Sequence, residues 1–181
     1  KKLDFIVKRL KLFGVFFVFG AFYDIDNELS GNIYVDDIDI KTLDKRTYRE
    51  HIGIVLQEPV LFRGTIASNI KFGKQISDEE VMNVLKMIGG ENIIKKFPDG
   101  INQKITRSGL NMSAGEKQLI SLARVLVHNP SILIMDEATS HIDLETEDMI
   151  KQALKVVSKS RTVIVIAHRL STIFDADKII V

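Results

Sequence analysis

One stretch, residues 110–143, constrains the fold more than any other part of the sequence. It contains a helix pattern that begins with polar residues and a strand pattern that ends in two acidic residues. Ser113 is followed three residues later by Glu116, which is the spacing of a capping box, so a helix is expected to begin here. Asn129 and Pro130 are expected to end it. The apolar residues in between recur at three- and four-residue intervals, as on one helical face: Leu119, Leu122, Ala123 and Leu126.

The beginning of this helix is a candidate anion site made of Ser113, Ala114, Gly115 and Glu116. Gly115 has no side chain, so a ligand can approach the backbone N–H groups of the first turn closely. Unpaired N–H groups and the positive end of the helix dipole both favour a negative ligand. Capping boxes are also common in helices that bind nothing, so the box alone is compatible with a purely structural role.

The strand pattern lies at residues 132–135, an unbroken apolar run that predicts a strand buried on both faces. The run ends in Asp136 and Glu137. Carboxylates at the end of a buried strand are unfavourable unless they meet a cation or a polar ligand. An apolar run ending in Asp is typical of the strand that holds Mg²⁺ beside nucleotide phosphates, and the following Glu is a candidate for polarising an attacking water. The simpler alternative is a pair of acids that begins a loop.

Together these features resemble the signature motif, Walker B strand and D-loop of an ATP-binding cassette (ABC) ATPase. The family's signature reads LSGGQ, and this sequence has Met112 to Glu116, MSAGE, which keeps the serine and the second glycine. The signature, helix, strand, acidic pair and Asp143 follow in the family's order and spacing. The resemblance implies an α/β fold of the P-loop NTPase type, with a mainly parallel sheet and a helical subdomain. It also implies ATP and Mg²⁺ as cofactors.

Two further sites match the family when they are placed in register with this stretch. Gln57 follows a predicted strand at residues 52–56 and resembles the Q-loop glutamine, and residues 59–70 resemble the continuation seen in exporter-type cassettes. His168 follows a predicted buried strand at residues 162–167 and resembles the H-loop histidine. Taken alone, a glutamine or a histidine after a strand is more often a loop or capping residue.

The resemblance assigns a role to each of these side chains. Asp136 and Gln57 would bind Mg²⁺, Gln57 and Glu137 would act on the attacking water, and His168 would contact the γ-phosphate. The residues that would contact a nucleotide across a head-to-tail dimer are Ser113, Ala114, Gly115, Glu116 and Asp143.

The first thirty residues depart from the family pattern. A Walker A loop, G-x-x-x-x-G-K followed by Ser or Thr, is expected just before the Phe22-Tyr23-Asp24 segment, and the sequence has none there. The loop's phosphate-binding N–H groups, its lysine and its hydroxyl are therefore not provided by this segment. We expect a single ABC ATPase-like domain over residues 1–181: an atypical segment at 1–30, a helical subdomain at about 71–112, and a core at 113–181 that contains signature helix, Walker B and H-loop.

Composition limits the classes of partner. Hydrophobic residues make up 45% and charged residues 27%, which is ordinary for a globular protein, and the formal net charge of +1 does not favour nucleic acid. The sequence has no cysteine, so thiolate metal sites and disulfides are excluded. An apolar run at residues 12–22 is too short to span a bilayer. The resemblance to ABC exporters implies a peripheral domain at the cytoplasmic face of the cell membrane.

The leading hypothesis is the ATP-hydrolysing nucleotide-binding domain of an ABC exporter, which pairs head-to-tail with a second such domain and with a transmembrane domain. One alternative is a degenerate cassette that acts only as a signature donor, or an inactive fragment, because the Walker A loop is missing. Another is a soluble ABC protein of DNA repair or translation, which is disfavoured by the exporter-like residues 59–70 and by the absence of a basic patch.

Overall fold

The computed structural model describes residues 34–106, 109–136, 144–166 and 176–179. Seven strands and six α-helices occur in these ranges, with 3₁₀ turns at Ile40–Thr42 and Gly100–Asn102. The strands are β1 (Tyr34–Val35), β2 (Ile38–Asp39), β3 (Ile52–Val55), β4 (Gly64–Thr65), β5 (Lys104–Ile105), β6 (Ile132–Asp136) and β7 (Thr162–Ile166). The helices are α1 (Lys45–Arg49), α2 (Ile66–Lys71), α3 (Asp78–Met87), α4 (Glu91–Ile94), α5 (Ala114–Leu126) and α6 (Leu144–Val157).

The centre of the fold is a parallel sheet in the order β3-β6-β7. Ile52 pairs with Ile132, and Ile132 pairs with Thr162, so the three strands begin level and end at one common edge. All five residues of β6 are buried because it has a neighbour on each side and helices over it, as the apolar run predicts. The expectation of an α/β fold with a parallel sheet is confirmed.

Helix α5 begins and packs as its sequence predicts. Ser113 is its N-cap, and the four apolar residues of the predicted face, Leu119, Leu122, Ala123 and Leu126, are all buried. The helix ends at Leu126, three residues before the expected stop at Asn129, and the chain reaches Pro130 through a turn in which Asn129 has a left-handed φ of 50°. A continuous core joins α5 to α2, α3, α6 and the sheet.

Three local expectations need correction. Strand β3 ends at Val55 rather than at Leu56, because the chain leaves the sheet there and Leu56 is exposed. Strand β7 is half-buried along its length rather than fully buried, since it has only β6 as a neighbour among the described strands. The sequence of residues 35–43 predicts one strand followed by a turn. In the structure, β1 and β2 instead form a tight hairpin, and Asp36 and Asp37 at its turn have positive φ.

None of the described helices is long and apolar enough to cross a bilayer. The apolar run at residues 12–22 and the segment in which the Walker A loop is expected lie outside the described residues.

Candidate functional site

The carboxyl edge of the parallel sheet brings together two of the predicted site residues. Val55 of β3 pairs with Met135 of β6, so Gln57, two residues beyond the end of β3, and Asp136, the last residue of β6, leave adjacent strands at the same edge. In open parallel sheets ligands bind at this edge. Gln57 is exposed, whereas Asp136 is 5% exposed. The edge therefore carries a buried carboxylate beside a solvent-accessible amide.

The donor atoms at this edge fit a magnesium ion. Carboxylate and amide oxygens are hard ligands of the kind that Mg²⁺ prefers, and Mg²⁺ sites next to nucleotides use only one or two protein carboxylates. No cluster of three or more His, Cys, Asp or Glu side chains occurs in the described part of the chain, which is compatible with a site completed by phosphate oxygens and water. A buried carboxylate such as that of Asp136 is stabilised when it binds a cation.

A second polar group lies at the beginning of α5. The Glu116 backbone N–H donates to Ser113 Oγ at 3.2 Å, and the Ser113 N–H donates to Glu116 Oε2 at 2.8 Å, which is a complete capping box. Ser113 and Ala114 are exposed, whereas Gly115 is buried. The Glu116 carboxylate is thus held by the cap, while the hydroxyl of Ser113 faces solvent.

A comparison with α3 distinguishes the two capping boxes. In α3, Ser77 accepts from Glu80 in the same way, but its hydroxyl also donates to Glu80 Oε2 at 2.8 Å. The Ser77 N–H and the Ser77 hydroxyl both donate to the Glu80 carboxylate, and these two hydrogen bonds lower the pKa of that carboxyl. Within the described residues the Ser113 hydroxyl has no such acceptor, so its proton remains available for an external group such as a phosphate.

Three of the predicted site residues lie outside the described residues: Glu137, Asp143 and His168. In the sequence, Glu137 directly follows β6 and His168 comes two residues after the end of β7. Their roles remain those that the sequence predicts.

An exposed aromatic patch escaped the sequence analysis. We define the aromatic patch as Val60, Phe62 and Phe72, which are 58%, 49% and 55% exposed, and the two ring centroids are 5.4 Å apart. The Arg124 guanidinium from α5 lies 5.4 Å from one ring centroid and 5.2 Å from the other. The only sequence signal was that Arg63 and Gly64 follow Phe62, and Gly73 and Lys74 follow Phe72, so that neither ring lies within a long apolar run.

Comparisons with known proteins agree with these features. A family model described as ABC transporter matches residues 18–140. A probable multidrug resistance ABC transporter ATP-binding/permease protein of Bacillus subtilis is 48% identical over 161 residues, which is 88% of this chain and 24% of that protein. Human ATP-binding cassette sub-family B member 5 is 48% identical over 159 residues, which is 87% of this chain and 12% of that protein.

Among solved structures, a bacterial Atm1-family ABC exporter with ATP bound matches with a TM-score of 0.79 and 39% sequence identity. The match covers 89% of this chain and 28% of that one. The chain thus spans about a quarter or less of the length of these relatives.

Proposed function

Since the chain belongs to the ABC transporter family and is a nucleotide-binding domain of the exporter type, we propose that it binds MgATP and hydrolyses it to drive transport through a permease domain. The observation that carries this proposal is the buried Asp136 carboxylate at the carboxyl edge of the parallel sheet, where the strand that precedes Gln57 also ends. Bound there, Mg²⁺ would neutralise charge on the phosphates. Asp136 and Gln57 would hold it.

The other residues act on the phosphate and on water. Glu137 would accept a proton from the attacking water and orient it, and His168 would donate a hydrogen bond to the γ-phosphate. Ser113 would donate a hydrogen bond from its hydroxyl to the γ-phosphate of a nucleotide held by a second domain, supported by the N–H groups of the first turn of α5. Asp143 and Glu116 would lie at the same contact between the two domains.

The aromatic patch supports a permease partner. Exposed aromatic residues that cluster together favour a protein contact, and the Bacillus subtilis relative is named an ATP-binding/permease protein. We infer that the permease part covers Val60, Phe62 and Phe72, which would place the domain at the cytoplasmic face of the membrane.

The test is the ATPase rate of the full-length protein with Asp136→Asn, which preserves shape and removes charge. We expect turnover to fall at least about tenfold, the lower end of the effect of disturbing a metal site. Asp148→Asn, at an exposed acid on α6, is the matched control and should leave the rate unchanged. An unchanged rate with Asp136→Asn would show that this carboxylate does not serve the reaction.

Glu137→Gln tests the water-activating role separately. We expect loss of turnover with retained folding, because the amide keeps the shape of the side chain but cannot accept the proton. Circular dichroism checks the folding, and turnover at the unsubstituted rate would exclude Glu137 as the base.

A second function is proposed because residues 1–30 contain no Walker A loop. The chain would then act as a signature donor, and its Ser113 and Gly115 would complete a nucleotide site on an intact partner domain. The uncommitted Ser113 hydroxyl favours this possibility.

A further inference from the structure

Arg124 of α5 makes three long-range hydrogen bonds to residues that follow Gln57 in the chain. Its Nε donates to the Asn69 carbonyl at 2.8 Å, Nη1 donates to the Val60 carbonyl at 2.9 Å, and Nη2 donates to Asn69 Oδ1 at 3.0 Å. Two nitrogens of one guanidinium thus reach backbone carbonyls in two separate segments, and the third reaches a side-chain amide oxygen. A lysine could not reproduce this fork, because an ammonium is a point donor.

Asn69 extends this contact into the loop before α2. The Phe62 N–H donates to Asn69 Oδ1 at 2.7 Å, and Asn69 Nδ2 donates to the carbonyls of Phe62 at 2.8 Å and Thr65 at 3.0 Å. Asn69 is 2% exposed. The loop that we call the 57–63 loop is therefore folded around one buried amide, and Arg124 holds that amide.

The two aromatic rings complete the arrangement. Phe62 belongs to the 57–63 loop, and Phe72 caps the end of α2 with a left-handed φ of 44°. The guanidinium lies within cation–π distance of both rings, so the loop and the end of α2 share one charged contact. Burial lowers the pKa of Arg124, but the guanidinium remains charged at neutral pH.

Arg124 and Ser113 lie on the same continuous helix. Eleven residues separate them, which corresponds to about 16 Å along the axis of α5. Gln57 lies three residues before Val60, whose carbonyl Arg124 binds. The position of the metal-binding amide is thereby tied to the helix that begins with the signature.

We propose that Arg124 is a positioning residue that ties the 57–63 loop to the signature helix and so sets the position of Gln57 for Mg²⁺. The role of Gln57 rests on the proposed function, whereas the tie itself rests only on the contacts. Arg124 does not touch the reacting atoms. Its effect on the reaction passes through the Val60 carbonyl and Asn69.

The first experiment is hydrogen–deuterium exchange of the full-length protein with Arg124→Lys. We expect exchange of amides in residues 57–72 to rise at least about tenfold, because charged hydrogen bonds are lost there, with unchanged exchange in β3 and β6. The matched control is Arg161→Lys, since Arg161 also donates to a carbonyl, that of Pro130 at 3.3 Å, but makes no contact with this loop. Unchanged exchange in residues 57–72, or a uniform rise over the chain, would overturn the proposal.

Phe62→Leu is the second variant, chosen because an exposed ring can be removed without loss of folding. It takes away one face of the guanidinium contact and leaves the hydrogen bonds, so exchange should rise in the same residues by a smaller factor. If Arg124→Lys does not fold, this variant decides: no rise in residues 57–72 would count against the tie.

The second experiment measures the Mg²⁺ concentration for half-maximal ATPase activity. With Arg124→Lys it should rise at least about tenfold, as for outer residues of metal sites, whereas a purely structural loss would lower the amplitude alone. An unchanged Mg²⁺ requirement would refute the positioning of Gln57. If the unsubstituted protein hydrolyses no ATP, the proposed function fails, and the exchange experiment still decides whether Arg124 holds the loop.

Discussion

At the scale of single residues, hydrogen bonds distinguish positions that look alike in the sequence. Ser77 and Ser113 both begin an S-x-x-E box, but among the described contacts only the Ser77 hydroxyl donates a hydrogen bond to its glutamate.

His128, one of four scattered histidines, is half-buried near the end of α5. Burial, and then the charge of Lys74, lower the pKa of its imidazole.

His128 should make stability depend on pH. The unfolded chain binds the imidazole proton below about pH 6.5, whereas the folded chain binds it only at lower pH, so the unfolded state holds more protons between these values. The contribution is fully present above about pH 6.5 and is lost as the pH falls. His128→Gln should reduce the decline in the free energy of unfolding between about pH 7 and pH 5, measured by urea denaturation. His51→Gln, at an exposed histidine, is the control, and an identical decline in wild type and His128→Gln would contradict the assignment.

At the scale of elements, the contact between β3 and the end of α5 explains why a glycine occupies the centre of a buried strand. A Cβ at Gly53 would overlap Cγ1 of Val125 and would lie 2.8 Å from Cγ of Pro130. The strand therefore approaches the turn after α5 more closely than any side chain would allow. This contact places β3, and hence Gln57, relative to the signature helix.

Gly53→Ala should destabilise the protein by about 1–3 kcal/mol, because the core is already filled at this point. Val125→Ala in the same chain should recover part of the loss, since it removes the overlapping methyl group but not the Pro130 ring. Thermal or urea unfolding of the two single variants and the double variant measures the coupling. Strictly additive effects would show that Gly53 and Val125 do not meet.

At the scale of the whole molecule, the proposed head-to-tail pairing would place the two polar groups in opposite halves of a composite site. Asp136 and Gln57 would serve a nucleotide held by their own chain, whereas Ser113 and Gly115 would serve one held by the partner. If the chain acts only as a signature donor, the second function proposed above because residues 1–30 contain no Walker A loop, only the second role would remain in a mixed dimer with an intact domain.

Substitutions in such a mixed dimer should have asymmetric effects on ATP turnover. Ser113→Arg in this chain should stop turnover by the pair, since a bulky side chain would enter the position of the partner's γ-phosphate. Glu137→Gln in this chain should change the rate little. The ATPase rate of each mixture is the measurement, and the reverse pattern would show that the chain is not the signature donor.

Local structure follows from neighbours in the chain, and the sequence by itself therefore determined where α5 begins, that the four apolar residues of its predicted face are buried, and that residues 132–135 form a buried strand. Capping boxes and hydrophobic periods act over three or four residues, so they can be recognised without the fold. The family motifs single out Asp136, Gln57 and Ser113 as candidate site residues, and their roles stay predictions. Only the tertiary structure decided that β3 and β7 flank β6 and that Arg124 holds the 57–63 loop. The hydrogen bonds of Arg124 reach Asn69 and Val60, which lie 55 and 64 positions earlier in the chain. Such contacts depend on how the whole chain packs, and no local pattern encodes them.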